Sequence, residues 1–326
     1  MAKMSVVAAI KLAMQEEMAA DEKVICIGED IDKKGGAWGY FKGLADEFGY
    51  DRVLTMPISE AAYSHFAVGT AYMGYRSFCE IMFADFSTLA FEAIADVSAK
   101  VEFFSAKKSH ASIVWMLPQG AGSMSGGQHT QSVEGWYQNV PGLKIVAPTT
   151  PADYRAYLRA ASRDGGPVVF IIQRALFGTK GDVPIDLDVV PSLAKAGKVV
   201  KEGADLTVVA YQRALINAEK AAAEVEAETG KTIEIIDPVV LVPFDKECVI
   251  NSVKKTGRLL VGHEAPKTGG FSAQIVDWVV EEAGTSLKAN PVRVCGYNGV
   301  IPFGPGEKYL IPTAEDFKEG MLKALK

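Results

Sequence analysis

No two of the four cysteines in this chain are spaced for a metal knot or a redox couple. Cys26, Cys79, Cys248 and Cys295 lie far apart, which excludes a CxxC motif and fits a reducing compartment. No Lys/Arg-rich run appears and the formal net charge is −6, which argues against a nucleic-acid surface. No uncharged apolar run is long enough to span a bilayer, so no membrane partner is expected. The opening, "MAKMSVVAAIKLAMQEEMAADEK", is not patterned as a signal peptide, because Lys11 breaks its apolar part and Glu16 and Glu17 follow. It reads as an amphipathic first helix. The expected compartment is the cytoplasm, or the mitochondrial matrix if a transit peptide has been removed. Also missing are a GxGxxG turn after the first strand, a GxxxxGK[ST] loop, a GxSxG elbow and a carboxylate cluster for a hard metal. The chain therefore carries no phosphate cradle of its own.

What is present is an ordinary globular composition, with 48% hydrophobic and 23% charged residues in 326, a length that predicts two domains. Apolar runs alternate with helical patterns over the first 175 residues or so: "VICIGE" (24–29), "RVLTMPI" (52–58), "FCEIMFADF" (78–86), "SIVWMLP" (112–118), "LKIVAP" (143–148) and "PVVFII" (167–172). Short strands that are apolar on both faces, with helices between them, predict a parallel sheet covered on both sides. The helices are expected over 60–74, 87–104 and 151–163, the last opening on Thr150 and Pro151. The stretch 181–203 is rich in Gly, Pro and charge and reads as a linker. It separates a first domain, 1–180, from a second, 204–326, where a new series runs from "DLTVVAY" (205–211) through "TIEIID" and "RLLVGHE" to "VRVCG" (292–296). The fold class is α/β with two open sheets.

In such sheets ligands sit beyond the carboxyl ends of the strands. Glu60 lies just past the strand "RVLTMPI", Phe86 ends the strand "FCEIMFADF", and the loop "PQGAGSMSGGQHTQS" (118–132) follows "SIVWMLP". Two readings of Glu60 stand. Ser59 can cap the helix while an acid in its first turn favours the dipole by about 0.3–1 kcal/mol, or a carboxylate heading a small, apolar helix has a job. The loop's glycines suit a backbone that must come close to something. His129 within it has no acid or cysteine at ligand spacing, so a proton-handling role and an unengaged loop histidine are the alternatives. His65 reads as a satisfied core group and His110 as solvated. His263, at a strand end, goes either way.

The stretches "MPISEAAYSHFAVGTAYMGYR", "FADFSTLAFEAIADVSAK", "GGQHTQSVEGWYQNVPGLKIVAPTTPADYRAYL", "RDGGPVVFI" and "SVKKTGRLLVGHEAPKTGGF" together resemble the β subunit of the thiamine-diphosphate-dependent 2-oxo acid dehydrogenases. The pyruvate, branched-chain and acetoin enzymes are its members. The likeness runs from about residue 4 to 325. It implies a pyrimidine-binding N-terminal domain and a transketolase-type C-terminal domain. It implies that Glu60 hydrogen-bonds a nitrogen of the coenzyme's aminopyrimidine ring and favours the tautomer that activates the thiazolium carbon. Phe86 is implied to lie against the pyrimidine, with Ile58 and Gln128 also lining the coenzyme. His129 is implied to assist acyl transfer to a lipoyl group. Magnesium and the diphosphate are implied to sit on a GDG-type motif of an α subunit, in a tetramer of two α and two β chains serving a lipoyl-bearing acyltransferase core. A buried K⁺ on the backbone of Ile113, Ala161, Ser162 and Asp164 is a further implication.

Two stretches depart from the family pattern. Val239 stands in "DPVVLVPFD" where an Arg is usual, and "GYNGVIPF" replaces a segment that normally holds an Asp and a Pro. Both lie in the second domain and leave the substrate open. The alternatives are another transketolase-type transfer enzyme, which usually carries both halves on one longer chain, and a non-catalytic scaffold subunit, which would be expected to lose Glu60 or His129.

Overall fold

The computed structural model describes residues 1–186 and 190–326. Residues 187–189, inside the expected linker, lie outside the described residues. The chain divides into two units, one of residues 1–119 and 136–193, the other of 120–135 and 194–326.

The first unit opens with strand β1 (Ala2–Ser5) and contains β2 (Val24–Gly28), β3 (Val53–Thr55), β4 (Arg76–Glu80), β5 (Ile113–Gln119), β6 (Lys144–Val146), β7 (Val168–Gln173) and β8 (Lys180–Val183). Strands β2 to β7 form a parallel sheet in the order β6-β7-β5-β4-β2-β3. Every residue of β2, β5 and β7 is buried, the outcome expected of uninterrupted apolar runs between helical layers. Each buried Val, Leu or Ile contributes roughly 1.5–3 kcal/mol. Strands β1 and β8 pair antiparallel, from Ala2 with Val183 to Ser5 with Lys180. The first four residues of the expected linker are thus mostly strand.

Helices Val6–Ala20 and Pro151–Arg163 are joined by buried charge. Arg155 holds Glu16 at 2.8 Å, while Arg159 and Arg163 reach Glu17 at 3.1 and 2.7 Å. Thr150 accepts the Asp153 amide and caps the second helix. The expected helix over 60–74 runs Glu60–Tyr72, but Ser59 makes no capping hydrogen bond. Gly74, at φ +88°, takes the chain on to β4. The helix expected over 87–104 is a π-helix, Glu92–Ser98, and a short α-helix, Val101–Phe104.

In the second unit, β9 (Lys198–Lys201), β10 (Leu206–Ala210), β11 (Ile233–Asp237), β13 (Leu259–Pro266) and β14 (Val292–Gly296) form a sheet in the order β14-β13-β10-β11-β9, with β12 (Val240–Val242) following β11. Only β9 runs antiparallel within that sheet. It too lies inside the stretch expected to be a linker. Helices Gln212–Thr229 and Ala314–Leu325 pack Ala218, Ala222, Val225, Phe317 and Met321 on Leu206, Val208, Ile233 and Leu260. Thr313 and Asp316 close the last helix with the capping box that "TAED" encodes. Residues 120–135 follow β5 in sequence yet belong to this unit, a departure from the expected division at 180.

Candidate active site

Three carboxyl groups are buried where strands of the first sheet end. Glu29 follows β2, Glu80 ends β4, and Glu60 opens the helix after β3; their exposures are 5%, 0% and 6%. None of the three has an ion pair among the described residues. The Tyr40 hydroxyl donates to one oxygen of Glu80, whose other oxygen is buried without a hydrogen bond, as is Oε1 of Glu29. Burial pushes the Glu80 carboxyl up to about 8; the Tyr40 bond opposes this and the charge of Glu29 adds to it. Burial raises Glu29 as well, and the charge of Glu60 raises it further. The buried Tyr63 hydroxyl acts the other way on Glu29. Like charges in a low-dielectric site cannot all ionise, so the cluster holds protons near neutral pH. Glu60 itself accepts no hydrogen bond among the described residues. A buried acid at a strand-end rim, next to a second acid whose carboxyl burial pushes up, suits a basic ring nitrogen of a ligand.

Glu29 and Glu80 were not picked out from the sequence, where Glu29 closes the run "VICIGE" and Glu80 lies inside the run "FCEIMFADF". Only the packing shows that they face a third acid. Phe86 needs a correction. It does not end a strand; β4 stops at Glu80 and Phe86 lies in a 3₁₀ helix, Ala84–Thr88, half-buried. Its ring meets Phe83 edge-on at 5.6 Å, and Phe83 meets Trp38 at 5.2 Å. The Arg174 guanidinium stands 5.3 Å from both the Trp38 and the Phe83 ring. This aromatic group follows β4 at the same strand ends as the acids. Ile58 is 83% exposed, a side chain held out from its own unit.

Gln128 and His129 belong to the second unit, whereas Glu60, Ile58 and Phe86 belong to the first. Gln128 is exposed and His129 half-buried. The His129 amide and the Thr130 hydroxyl both donate to the Gly126 carbonyl, at 3.2 and 2.6 Å. His65 departs from its expected core place: it is exposed, its ring against the Ala61 carbonyl at 2.7 Å and the Glu92 carboxylate. His110 is half-exposed, 3.9 Å from Glu102. His263 is the fully buried one. It sits 2.8 Å from the Ser272 hydroxyl and 3.1 Å from the Ala265 carbonyl. Burial lowers it to about 4, and the charge of Arg293 acts the same way. It is a neutral structural group.

The four backbone positions named for a cation are at the carboxyl end of helix Pro151–Arg163 and the start of β5. Ser112 donates to the Gly165 carbonyl at 3.0 Å, which ties the two together. The Ser162 carbonyl accepts from Arg76 at 3.0 Å and the Ala161 carbonyl from the Asp164 amide at 3.4 Å. Each of these two oxygens keeps a second lone pair, and a helix carboxyl end favours positive charge. Among the described residues no group of His, Cys, Asp and Glu side chains is arranged to hold a metal ion, and no helix is long and apolar enough to cross a membrane.

Residues 2–180 match the family described as transketolase, pyrimidine binding domain, and residues 195–316 match transketolase, C-terminal domain. The chain is 38% identical to the mitochondrial pyruvate dehydrogenase E1 component subunit beta of Dictyostelium discoideum, over 90% of this chain and 83% of that protein. It is 37% identical to pyruvate dehydrogenase E1 component subunit beta of Acholeplasma laidlawii, over 97% and 96%. It is 36% identical to 2-oxoisovalerate dehydrogenase subunit beta of Bacillus subtilis (strain 168), over 98% of each. Among solved structures, a split gene transketolase described as an inactive beta4 tetramer matches with a TM-score of 0.79 at 23% identity, covering 99% of this chain and 98% of that one. That last likeness carries the fold alone.

Proposed function

This chain belongs to the transketolase-type family that contains the β subunits of the 2-oxo acid dehydrogenase first components, and we propose that it supplies the proton-handling half of their thiamine diphosphate site. The single observation behind this is Glu60: buried, without hydrogen bond or ion pair among the described residues, beside a Glu29 whose carboxyl burial pushes up. When bound, thiamine diphosphate supplies the carbon nucleophile that attacks the 2-oxo acid and the electron sink for decarboxylation. Glu60 holds a proton on the pyrimidine nitrogen. Glu29 stands beside it, its carboxyl raised by burial and then by the charge of Glu60. Ile58 and Phe86 bound the pyrimidine, and Gln128 lines the coenzyme from the loop. His129 moves a proton as the acyl unit passes to a lipoyl group.

With no phosphate cradle here, the magnesium and diphosphate fall to an α subunit, in a tetramer of two α and two β chains. Surface chemistry supports such a partner. Ile58, Phe66, Tyr72, Met73, Leu89 and Phe91 are exposed along helix Glu60–Tyr72 and the segment after β4. The acyl acceptor is the lipoyl-bearing acyltransferase core. The backbone of Ile113, Ala161, Ser162 and Asp164 holds K⁺. The substrate is a short 2-oxo acid, pyruvate or a branched-chain one, with acetoin as the other member of the set.

The test is reconstitution. Titrate thiamine diphosphate with magnesium into this chain alone and into the chain with an α-type partner, then assay lipoyl acylation with pyruvate, 2-oxoisovalerate and acetoin. We expect binding only in the mixture and acylation with one of the three. Tight magnesium-dependent binding by the single chain, or no acylation with any of them, overturns the reading. Exchanging K⁺ for Li⁺ should lower the melting temperature of the mixture if the backbone cation is present.

A further inference from the structure

The glycines of the 120–135 loop approach a definite partner. A Cβ on Gly126, which sits at φ +76°, would lie 2.6 Å from the Phe303 ring, and one on Gly127 would lie 2.4 Å from Val300. Ser125 pairs with Phe303 in an isolated antiparallel bridge. The Gly304 amide donates to the Met124 carbonyl at 3.2 Å, and the Met124 amide donates to the Glu307 carboxylate at 3.0 Å. Glu307 is buried, so this is a charge-assisted bond out of bulk water. The loop is pinned at its ends too. The Ala121 amide donates to Glu264 at 2.6 Å, Arg213 holds Glu264 at 2.8 Å and donates to the Ala121 carbonyl at 3.2 Å, and the Tyr211 hydroxyl donates to Glu134 at 2.8 Å. All these residues belong to the second unit.

We propose that the segment 297–307, through Val300, Phe303 and Glu307, is a positioning device that sets where the 124–130 backbone, and with it His129, stands. This deepens the reading of His129 as the group that assists acyl hand-over, and it rests on that reading. Gly126 and Gly127 have no side chains of their own to fix the middle of the loop, and the Gly126 carbonyl takes both the His129 amide and the Thr130 hydroxyl. Any shift of Gly126 therefore carries His129 with it. Phe303 remains 77% exposed and Val300 84% exposed, so neither is spent on the core of its unit. A ring that lies on a glycine yet buries little of itself contributes placement more than stability. The segment that departs from the family pattern thus acts on the loop that follows β5.

The experiment uses the chain assembled with its α-type partner and reads the ratio of lipoyl acylation to decarboxylation driven by ferricyanide. Phe303→Ala and Gly126→Ala each lower the ratio about 10²-fold, the effect of a misplacement near 1 Å. Phe303→Leu restores most of it, and the Phe303→Ala/Gly126→Ala pair loses little more than either single change. His129→Ala is the reference. If His129→Ala lowers the ratio and the other two do not, the positioning proposal is wrong while the role of His129 stands. Equal slowing of both reactions by Phe303→Ala makes the contact merely structural and also overturns it. If His129→Ala leaves the ratio alone, the role of His129 fails, and hydrogen exchange decides the clamp: faster exchange of the 124–130 amides in Phe303→Ala supports it, unchanged exchange overturns it.

Discussion

Glu60 and Glu307 are glutamates buried to the same degree, 6% and 5% exposed, and their surroundings treat them oppositely. Glu307 takes the Met124 amide, and its neighbour in role, Glu264, takes the Ala121 amide and Arg213. Glu60 takes nothing among the described residues, and Glu29 and Glu80 each keep one buried oxygen without a hydrogen bond there. A carboxylate that is given donors stays charged and fixes a backbone. A carboxylate denied them competes with its neighbours for a proton and can share it with a ligand. The second unit uses buried acids as hooks, and the first leaves Glu60 open to the ligand role proposed for it. Glu17, ringed by Arg76, Arg159 and Arg163, shows that the first unit can also make the other kind.

The largest effect that would sharpen this contrast is on turnover. Glu60→Gln keeps shape and removes the shared proton. It should lower lipoamide-linked turnover by roughly 10²–10⁴-fold, with the assembled species unchanged by sedimentation. Near-normal turnover removes Glu60 from the chemistry. Next is Glu264→Ala, which frees the Ala121 amide and leaves Arg213 without its carboxylate; it should cost about 3 kcal/mol in denaturant unfolding. A cost under a few tenths would mean that the hooks of the second unit are ornamental.

The smallest effects per step are in pH, read one pH unit at a time, and there the two units should slope opposite ways. Glu80 is raised to about 8 from 4.5, so the folded chain binds a proton that the unfolded chain has released. Its stabilising contribution is present below pH 4.5 and is lost as pH rises to 8. His263 is lowered to about 4 from 6.5. Its contribution is present above pH 6.5 and is lost as pH falls to 4. Each slope is at most one proton, about 1.4 kcal/mol per pH unit. Glu80→Gln should flatten the alkaline loss and leave the acid one, as read from melting curves at fixed salt; a parallel change in both limbs would break the assignment.

Much of the frame was legible because parallel strands buried on both faces are continuous apolar runs. "VICIGE", "SIVWMLP" and "PVVFII" became β2, β5 and β7 within a residue or two. Thr150 and Thr313 marked helix starts through their own hydroxyls. Misreadings came where a local signal competed with packing. "FCEIMFADF" is mostly apolar, yet its last third tightens into a 3₁₀ turn that aims Phe86 toward Phe83. "AKMS" and "KGDV" are too short and polar to read as strands, and pair only because the fold brings them together. The attachment of the His129 loop to the second unit depends on Phe303 and Glu307, some 180 residues away, which no local pattern encodes. The helix from Glu60 was plain, but the company that Glu60 keeps was not, since Glu29 looks like the polar end of a strand and Glu80 like an interior residue of one.

The most direct measurement is the rate at which the assembled protein exchanges the acidic thiazolium ring proton of bound thiamine diphosphate for deuterium, followed by acid quench and proton NMR. Glu60→Gln should slow that exchange by about 10²-fold or more, while Glu307→Gln should leave it at the parent rate. Equal exchange in Glu60→Gln and the parent would contradict the account, because the unpartnered acid would then have no part in moving the proton.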